Sequence, residues 1–370
     1  MAVPFFTGVR EYQRKKDLFD AAMEEVLLRG DYILGQDVTA LEEEVQGYLD
    51  VPYAIGLASG SDALLLGLHA LGVGPGDEVV TSPFTFFASV SAITRLGAVP
   101  VFADIDPATF NLDPALAAEK VTSRTKAILP VHLFTQTADL SPLLSLAEEN
   151  GLALLEDAAE AFGMSYREKK AGTLGDIGIY SFYPTKTLGA YGDAGMAVTR
   201  SEHLASRLRS LRRHGESRRY YHNEVGYNSR LDTLQAAILR VKLRSIDEDI
   251  RARAAIASAY TTGLNNIKQV RLPVIKPHCD PVYYVYSLLT PFRDELKKYL
   301  DKKEIGNAIY YPLPLHLQEC FSFLGYKEGD FPVAEETARS ILALPIFPDM
   351  TPGETDEVIT AVQSFFHSQG

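Results

Sequence analysis

Cysteine is nearly absent from this chain, with Cys279 and Cys320 the only two in 370 residues. Neither sits in a Cys-x-x-Cys pair and two thiols offer no disulfide framework, so a stapled secreted module, a zinc site and thiol redox chemistry all lack support. Long apolar runs are missing as well. Nothing approaches the ~20 uninterrupted apolar residues of a membrane span, and the opening MAVPFFTGVREYQRKKD lacks the apolar core of a signal peptide. Positive charge is in deficit: 36 Lys and Arg against 48 Asp and Glu give a formal net charge of -12, which opposes non-specific attraction to nucleic acid or an anionic membrane. There is no repeat at solenoid periods, no low-complexity tract and no Pro/Gly excess. These absences leave a folded cytoplasmic enzyme with neither nucleic acid nor membrane as partner. Any anionic ligand then needs a local basic site.

At this length two domains are expected, or one large domain with a smaller appendage. The first two-thirds alternates helix and strand patterns. Residues 61–71 (SDALLLGLHAL) read as a helix with Ser61 as N-cap, followed by the turn GVGPGDE and the strand EVVTS. The helical FFASVSAITRLG, the strand VPVFADI, a helical region around AEEN after TKAILPVHLF, and the strand LALLED continue the rhythm. That is the βαβ signature of an α/β, doubly wound, mostly parallel sheet. Residues 177–183 (IGIYSFY) and 195–200 (GMAVTR) predict a hairpin at the sheet edge. A helix is expected from Ser201 to Gly215. Another starts near Leu231 with Leu231, Leu234, Ile238 and Val241 on one face, crossing between domains. Beyond about residue 250 the pattern becomes α+β: the strand VYYVYSLLT, the helix FRDELKKYL, the strand NAIYYP and two final helices. The last of these opens on a capping box, Thr351-Pro352-Gly353-Glu354. The expected division is a large α/β domain over 1–245 and a small C-terminal α+β domain over 246–370.

Two residues stand out chemically. Asp157 follows the apolar run Leu152 to Leu155, at the carboxyl end of a buried parallel strand where open α/β sheets bind ligands. A buried acid there needs a cationic partner; the plainer alternative is an Asp capping the next helix. Lys186 lies in SFYPTKTLGAYGDAG, just past a strand and ahead of glycines that allow close backbone approach; out of that context it reads as a solvated surface lysine. Pyridoxal 5′-phosphate (PLP) needs a lysine for a Schiff base, an acid against its ring nitrogen, an aromatic ring over one face, and a helix N-terminus with hydroxyls for its phosphate. Lys186, Asp157, Phe86 and the pair Gly60–Ser61 with Ser181 supply these types, though Phe86 alone would read as core.

The motifs GDYILGQDV, ASGSDAL (58–64), VFADIDPATFNLDP (101–114), EDAAEAFG (156–163), SFYPTKTLGAYGDAG (181–195), NSRLDTLQAAIL (228–239) and YYPLPLHLQ (310–318) occur in that order across nearly the whole chain. Together they resemble the DegT/StrS-type nucleotide-sugar aminotransferases, which have the type I PLP-dependent aminotransferase fold. The resemblance implies Lys186 as the Schiff-base lysine, Asp157 as partner of the ring nitrogen, and Phe86 over the ring. Gly60, Ser61 and Ser181 would hold the phosphate, with Asn228 joining from a neighbouring subunit. A homodimer with shared sites follows. In it the loop ESRRYYHNEVGYNSR (216–230) lines the partner's pocket and Arg230 contacts substrate.

One position departs from the family, which has Gln where this chain has Glu160. That Gln donates to the cofactor's phenolic oxygen, and an ionised Glu cannot. Glu160 is therefore expected either to be protonated, through burial and the nearby phenolate, or to turn away. Thr135 and Thr137 also replace the Gly and Pro of the family's HLYGQPAD motif, so that loop is given no role.

The resemblance implies transfer of an amino group from an amino acid, L-glutamate, to a nucleotide-linked keto-sugar. The segments RRHGESRRYYHNEVGYNSRLDTLQAAIL and YYPLPLHLQ are most similar to enzymes acting at C3, on UDP-linked 3-oxo-uronic acids or dTDP-linked 3-keto-6-deoxyhexoses; amination at C4 is the alternative. Tyr311 and His316 are possible pocket residues, although a His among prolines and leucines is as readily a structural hydrogen-bonder. Asp104 and Asp106 raise a rival, a glycosyltransferase holding a metal-bound nucleotide diphosphate; against it stands a plain strand-end turn, and no metal is expected. A regulatory protein or a PLP-type sugar dehydratase is a third reading. Dehydratase relatives lack the lysine that this chain keeps.

Overall fold

The computed structural model of the chain describes residues 2–368. Helices α1 (Val9–Arg14), α2 (Lys16–Arg29) and α3 (Gln36–Leu49) precede the first strand, β1 (Tyr53–Leu57). Then α4 (Gly60–Ala70), β2 (Glu78–Thr81), α5 (Phe87–Arg95), β3 (Val99–Phe102), α6 (Pro114–Ala118), β4 (Thr125–Leu129), α7 (Leu140–Asn150) and β5 (Ala153–Asp157) alternate. The short β6 (Ser165–Tyr166) and β7 (Lys169–Lys170) lead to β8 (Ile177–Ser181), β9 (Gly195–Thr199) and α8 (Glu202–Leu211). A small ribbon, β10 (Glu216–Arg218) and β11 (Tyr221–His222), precedes α9 (Thr233–Leu243) and α10 (Ile246–Leu264). The chain ends with β12 (Cys279–Asp280), β13 (Tyr286–Leu289), α11 (Arg293–Lys302), α12 (Pro332–Ser340), β14 (Ile341–Leu344) and α13 (Pro352–His367).

Seven strands form one sheet in the order β1-β9-β8-β5-β4-β2-β3. Pairing is parallel from β3 through β2, β4 and β5 to β8, and antiparallel on both sides of β9. Neighbouring residues on a strand enter opposite cores, as a two-residue period requires. Val79, Ala127 and Leu155 pack with α4 and α5 in one cluster, while Val80, Ile128 and Leu154 pack with Leu143 and Ala147 of α7 in another. Helices therefore cover both faces, which is the α/β architecture expected. Among the described residues no helix is long and apolar enough to cross a membrane.

Helix α10 spans two cores. Ile246 and Ile250 pack with the cluster under β9, whereas Ile256, Tyr260 and Leu264 join β13, β14 and α13. Val3 belongs to that second core and bridges to Ile305, so the first residues of the chain pack with its last hundred.

Several sequence expectations change. The 177–200 hairpin forms, but β1 pairs outside β9 and takes the edge. Ser61 does not cap α4. Ser59, in extended conformation, accepts the Asp62 N–H at 3.1 Å and is the cap, leaving Ser61 in the first turn. The helix from Ser201 stops at Leu211, because the carbonyls of Leu211 and Arg212 are taken by Tyr227 and Ser229 of the returning loop. Leu231 precedes its helix, which begins after Asp232, and Ser245 separates it from α10. NAIYYP is not a strand. It keeps one bridge, Ala308 to Ala343, and then turns to lay Tyr310 and Tyr311 against the cavity described below. The capping box forms, with Thr351 and Glu354 exchanging hydrogen bonds.

Candidate active site

At the carboxyl ends of the central strands lies a cavity of about 540 Å³ that gathers Gly60, Ser61, Phe86, Asp157, Glu160, Ser181, Lys186 and Tyr311. The fold explains the convergence. Asp157 ends β5 and Ser181 ends the adjacent, parallel β8, so both emerge on the same side of the sheet. Helix α4 starts right after β1, and its first turn abuts the end of β8: a Cβ on Gly60 would meet the Ser181 Cβ at 2.6 Å. A Cβ on Gly195 would meet the Ser59 carbonyl carbon at 2.3 Å, so only glycine fits either place.

Asp157 is 3% exposed. Its Oδ2 accepts from Ser89 Oγ at 2.7 Å and its Oδ1 from the Ala159 N–H at 3.1 Å; no helix follows for it to cap. Burial pushes its carboxyl above the ordinary range, while Ser89, Ala159 and Lys186 pull the other way and Glu160 adds to burial. The preceding residue fixes this strand end. Fully buried Glu156 accepts the N–H groups of Gly172, Leu174 and Gly175 and faces His132 Nε2 at 2.9 Å. His132 Nδ1 accepts from the Ala138 N–H, so its Nε2 carries the proton and donates to Glu156.

Lys186 sits on a tight loop after β8, its N–H donating to the Tyr183 carbonyl at 2.8 Å. Gly189 closes the loop, where a Cβ would meet the Pro184 carbonyl oxygen at 2.5 Å, and Lys242 Nζ donates to the Gly189 carbonyl at 2.7 Å. The Lys186 ammonium lies 4.2 Å from the Tyr284 ring centroid and 3.3 Å from Glu160 Oε1. Burial disfavours its charge, but Glu160, Tyr284 and Asp157 outweigh burial and hold its pKa above the ordinary lysine value. Glu160 Oε2 accepts the Phe134 N–H at 2.9 Å. Both oxygens of Glu160 thus act as acceptors, and its carboxylate turns toward the lysine.

Phe86, at the N-cap of α5, is 57% exposed, and its ring centroid lies 6.2 Å from that of Tyr311. Asn228 and Arg230 do not line this cavity. They line an adjoining opening that shares Ser59 and Asp193 with it. His316 is a correction: it is buried away from both, its Nε2 3.1 Å from Glu335 and its ring against Phe331. Glu335, itself buried, keeps it as a structural hydrogen-bonder. Asp104 and Asp106 hold no metal geometry either. Asp104 accepts the Val333 and Ala334 N–H groups at the start of α12, and Asp106 accepts from Ala108. Among the described residues no group of three or more His, Cys, Asp or Glu is arranged to hold a metal.

Sequence reasoning missed Ser89, Tyr284, Tyr310 and Asp193, all of which touch or line the site. Asp193 carried a signal, lying in the same glycine-rich motif as Lys186. Tyr284 comes from a distant segment and carried none.

The DegT/DnrJ/EryC1/StrS aminotransferase family matches residues 13–363. The chain belongs to this family. This aminotransferase is 44% identical over 369 residues to the "Pleiotropic regulatory protein" of Geobacillus stearothermophilus, covering 99% of each. It is 40% identical to the dTDP-3-amino-3,4,6-trideoxy-alpha-D-glucose transaminase of Streptomyces venezuelae, over 98% of this chain and 96% of that one. It is also 40% identical to the UDP-2-acetamido-2-deoxy-3-oxo-D-glucuronate aminotransferase of Pseudomonas aeruginosa, over 94% and 95%. The solved structure of S. venezuelae DesV, in complex with a ketimine intermediate, superposes with a TM-score of 0.97 at 40% identity, covering 99% of this chain and 98% of that one.

Proposed function

We propose that this aminotransferase uses pyridoxal 5′-phosphate to move the amino group of an amino acid, L-glutamate in our reading, to the C3 keto group of a nucleotide-linked sugar. The observation that carries this reading is one cavity holding Lys186, the buried Asp157 and the glycine-opened N-terminus of α4. That donor set fits the cofactor. A carboxylate buried beside a lysine suits a cationic ring nitrogen, and a helix N-terminus with Ser61 and Ser181 suits a phosphate. When bound, the cofactor supplies an electron sink for charge developing at the donor carbon.

The chain's own residues do the rest. Asp157, supported by the Ser89 hydroxyl, would face the ring nitrogen and favour its positive charge. Lys186 would hold the cofactor and would be the group that moves a proton at the donor carbon. Phe86 would cover the ring, and Gly60, Ser61 and Ser181 would hold the phosphate. Tyr311, in the cavity wall beside Phe86, would contact the substrate.

Two copies share each site in this reading. Asn228 is exposed, the buried Nε of Arg230 lacks a partner, and Phe86, Phe87 and Tyr183 are exposed aromatics suited to cover by another subunit. We read residues up to about 245 as the cofactor-binding domain and 246–370 as the smaller one, with the first residues around Val3 packing in the smaller core and the start of α10 in the larger, and place the enzyme in the cytoplasm from its unpaired cysteines. The regulatory name of one relative does not displace catalysis, because this chain keeps a lysine and two carboxylates, Asp157 and Glu160, together in one cavity.

The choice of C3 rests on the S. venezuelae and P. aeruginosa relatives, whose names place amination or a keto group at C3. The test offers 3-keto and 4-keto UDP-, dTDP- and GDP-sugars with glutamate and reads amino-sugar formation by mass spectrometry. Product from a 3-keto sugar is expected. Product from 4-keto sugars alone would move the assignment to C4, and none from any sugar despite bound cofactor would sink it.

A further inference from the structure

Glu160 brings a carboxylate to the lysine. Its Oε2 is pinned by the Phe134 N–H at 2.9 Å, and its Oε1 points at Lys186 Nζ from 3.3 Å. Asp157 is differently committed, each oxygen already accepting a hydrogen bond, from Ser89 and Ala159. The Tyr284 ring covers another side of the ammonium. Asp193, Tyr183, Tyr310 and Tyr311 complete the titratable groups around the cavity.

We propose that Glu160 is the proton acceptor of Lys186, the carboxylate that takes the ammonium proton whenever the lysine must become a nucleophile, and that it sets the pH at which cofactor is attached. This rests on the function proposed above. A Gln here would keep the Phe134 contact through its carbonyl, but it could not take a proton.

The step balances without an oxidant or reductant. Lys186 begins with three N–H bonds and passes one proton to Glu160. The freed lone pair forms the C–N bond to the aldehyde carbon, the C–O bond breaks, and the oxygen leaves as water. That water carries away one further nitrogen proton and the proton returned by Glu160, leaving one N–H and restoring the carboxylate. Before attachment the same carboxylate favours the ammonium, which agrees with the upward direction of the Lys186 pKa.

The test follows attachment of pyridoxal phosphate to the full-length protein against pH. The bond is trapped with borohydride, and the Lys186 peptide is quantified by mass spectrometry. In Glu160→Gln the pH midpoint should fall by about one unit, which corresponds to roughly tenfold more neutral lysine at a given pH below both midpoints. Below the midpoint, where the lysine starts as the ammonium, the attachment rate per neutral lysine should fall in Glu160→Gln, because the acceptor is gone. A midpoint that stays or rises, or a rate per neutral lysine as fast as wild type below it, overturns the proposal. If Glu160→Gln does not fold, Glu160→Ala with added formate replaces it: recovery of the rate below the midpoint supports the proposal and no recovery overturns it. A wild-type chain that never links cofactor to Lys186, or a Lys186→Ala chain that still links it, would instead remove the underlying reading. Attachment at Lys186 with unchanged Glu160→Gln behaviour removes this inference alone.

Discussion

Ser89 Oγ donates to Asp157 Oδ2 at 2.7 Å, joining the first turn of α5 to the carboxyl end of β5 beside the cavity. This hydroxyl and the Ala159 N–H are the fixed support for a carboxylate that burial otherwise disfavours. Lys186 offsets only part of that cost, so the site stays strained until a further cation meets the carboxylate.

That strain has a measurable sign. The folded state binds the Asp157 proton more tightly than the unfolded chain, so its contribution to stability declines as pH rises above the ordinary value of 3.8 and toward the raised one. Asp157→Asn removes this cost. The cofactor-free variant should melt above wild type at neutral pH, and the gap should close on acidification. Its amino-transfer rate should fall roughly 10²-fold or more, if Asp157 carries the charge proposed for the ring nitrogen. Thermal melts across pH, set beside turnover, check both halves, and a variant that is less stable at every pH would contradict the first.

Those residues whose neighbours in sequence dictate their place were readable in advance. Asp157 follows an apolar strand, Lys186 lies among glycines, and Gly60 opens a helix; each is located by local chemistry. Ser89 and Tyr284 were not readable, because each reaches the site through packing between distant segments, α5 on β5 and residue 284 on the lysine loop. The same limit applies to Asp104. A strand-end acid can turn, bind metal or cap a helix, and only the fold shows that α12, some 230 residues later, brings its N–H groups there. The Ser61 cap failed for a smaller reason: Ser-Gly-Ser offers two caps, and the helix took the earlier one.

The proposed sharing of sites between two subunits predicts complementation. Lys186→Ala and Asn228→Ala chains, each inactive or impaired alone, should recover activity when unfolded together and refolded. In the mixed dimer one site receives both defects and the other none, so random pairing yields about a quarter of wild-type activity. Steady-state assay of the mixture against each parent is the check. No recovery in a mixture that does contain mixed dimers would mean that Asn228 serves its own chain.

Asp104 distinguishes the aminotransferase from a metal-using transferase. Its carboxylate caps α12, so Asp104→Ala should cost about 1–2 kcal/mol of stability, as loss of a helix N-cap does. Chelation with EDTA should leave turnover unchanged. Lost turnover restored by a divalent cation would bring back the glycosyltransferase reading.

Glu354 ties the start of the chain to its end. It accepts from both terminal nitrogens of Arg10, at 2.6 and 2.8 Å, while closing the capping box of α13 with Thr351. Arg10, opposed by partial burial and assisted by Thr351, holds its carboxyl down at about 2, against an ordinary 4.5. A depressed acid contributes in full above the unfolded value, and the contribution is lost as pH falls from 4.5 through about 2. Glu354→Gln should therefore melt below wild type at pH near 7, with the two melting temperatures converging toward pH 2. The effect should reach the active site only weakly. Helix α1, which carries Arg10, also carries Glu11, and Glu11 pairs at 2.8 Å with Lys242, the residue that holds the Gly189 carbonyl of the lysine loop. That second tether survives in Glu354→Gln, so turnover well below the melting temperature should stay near wild type. A large loss of turnover without a shift in melting would mean that the α1–α13 clamp, rather than Lys242, positions Lys186.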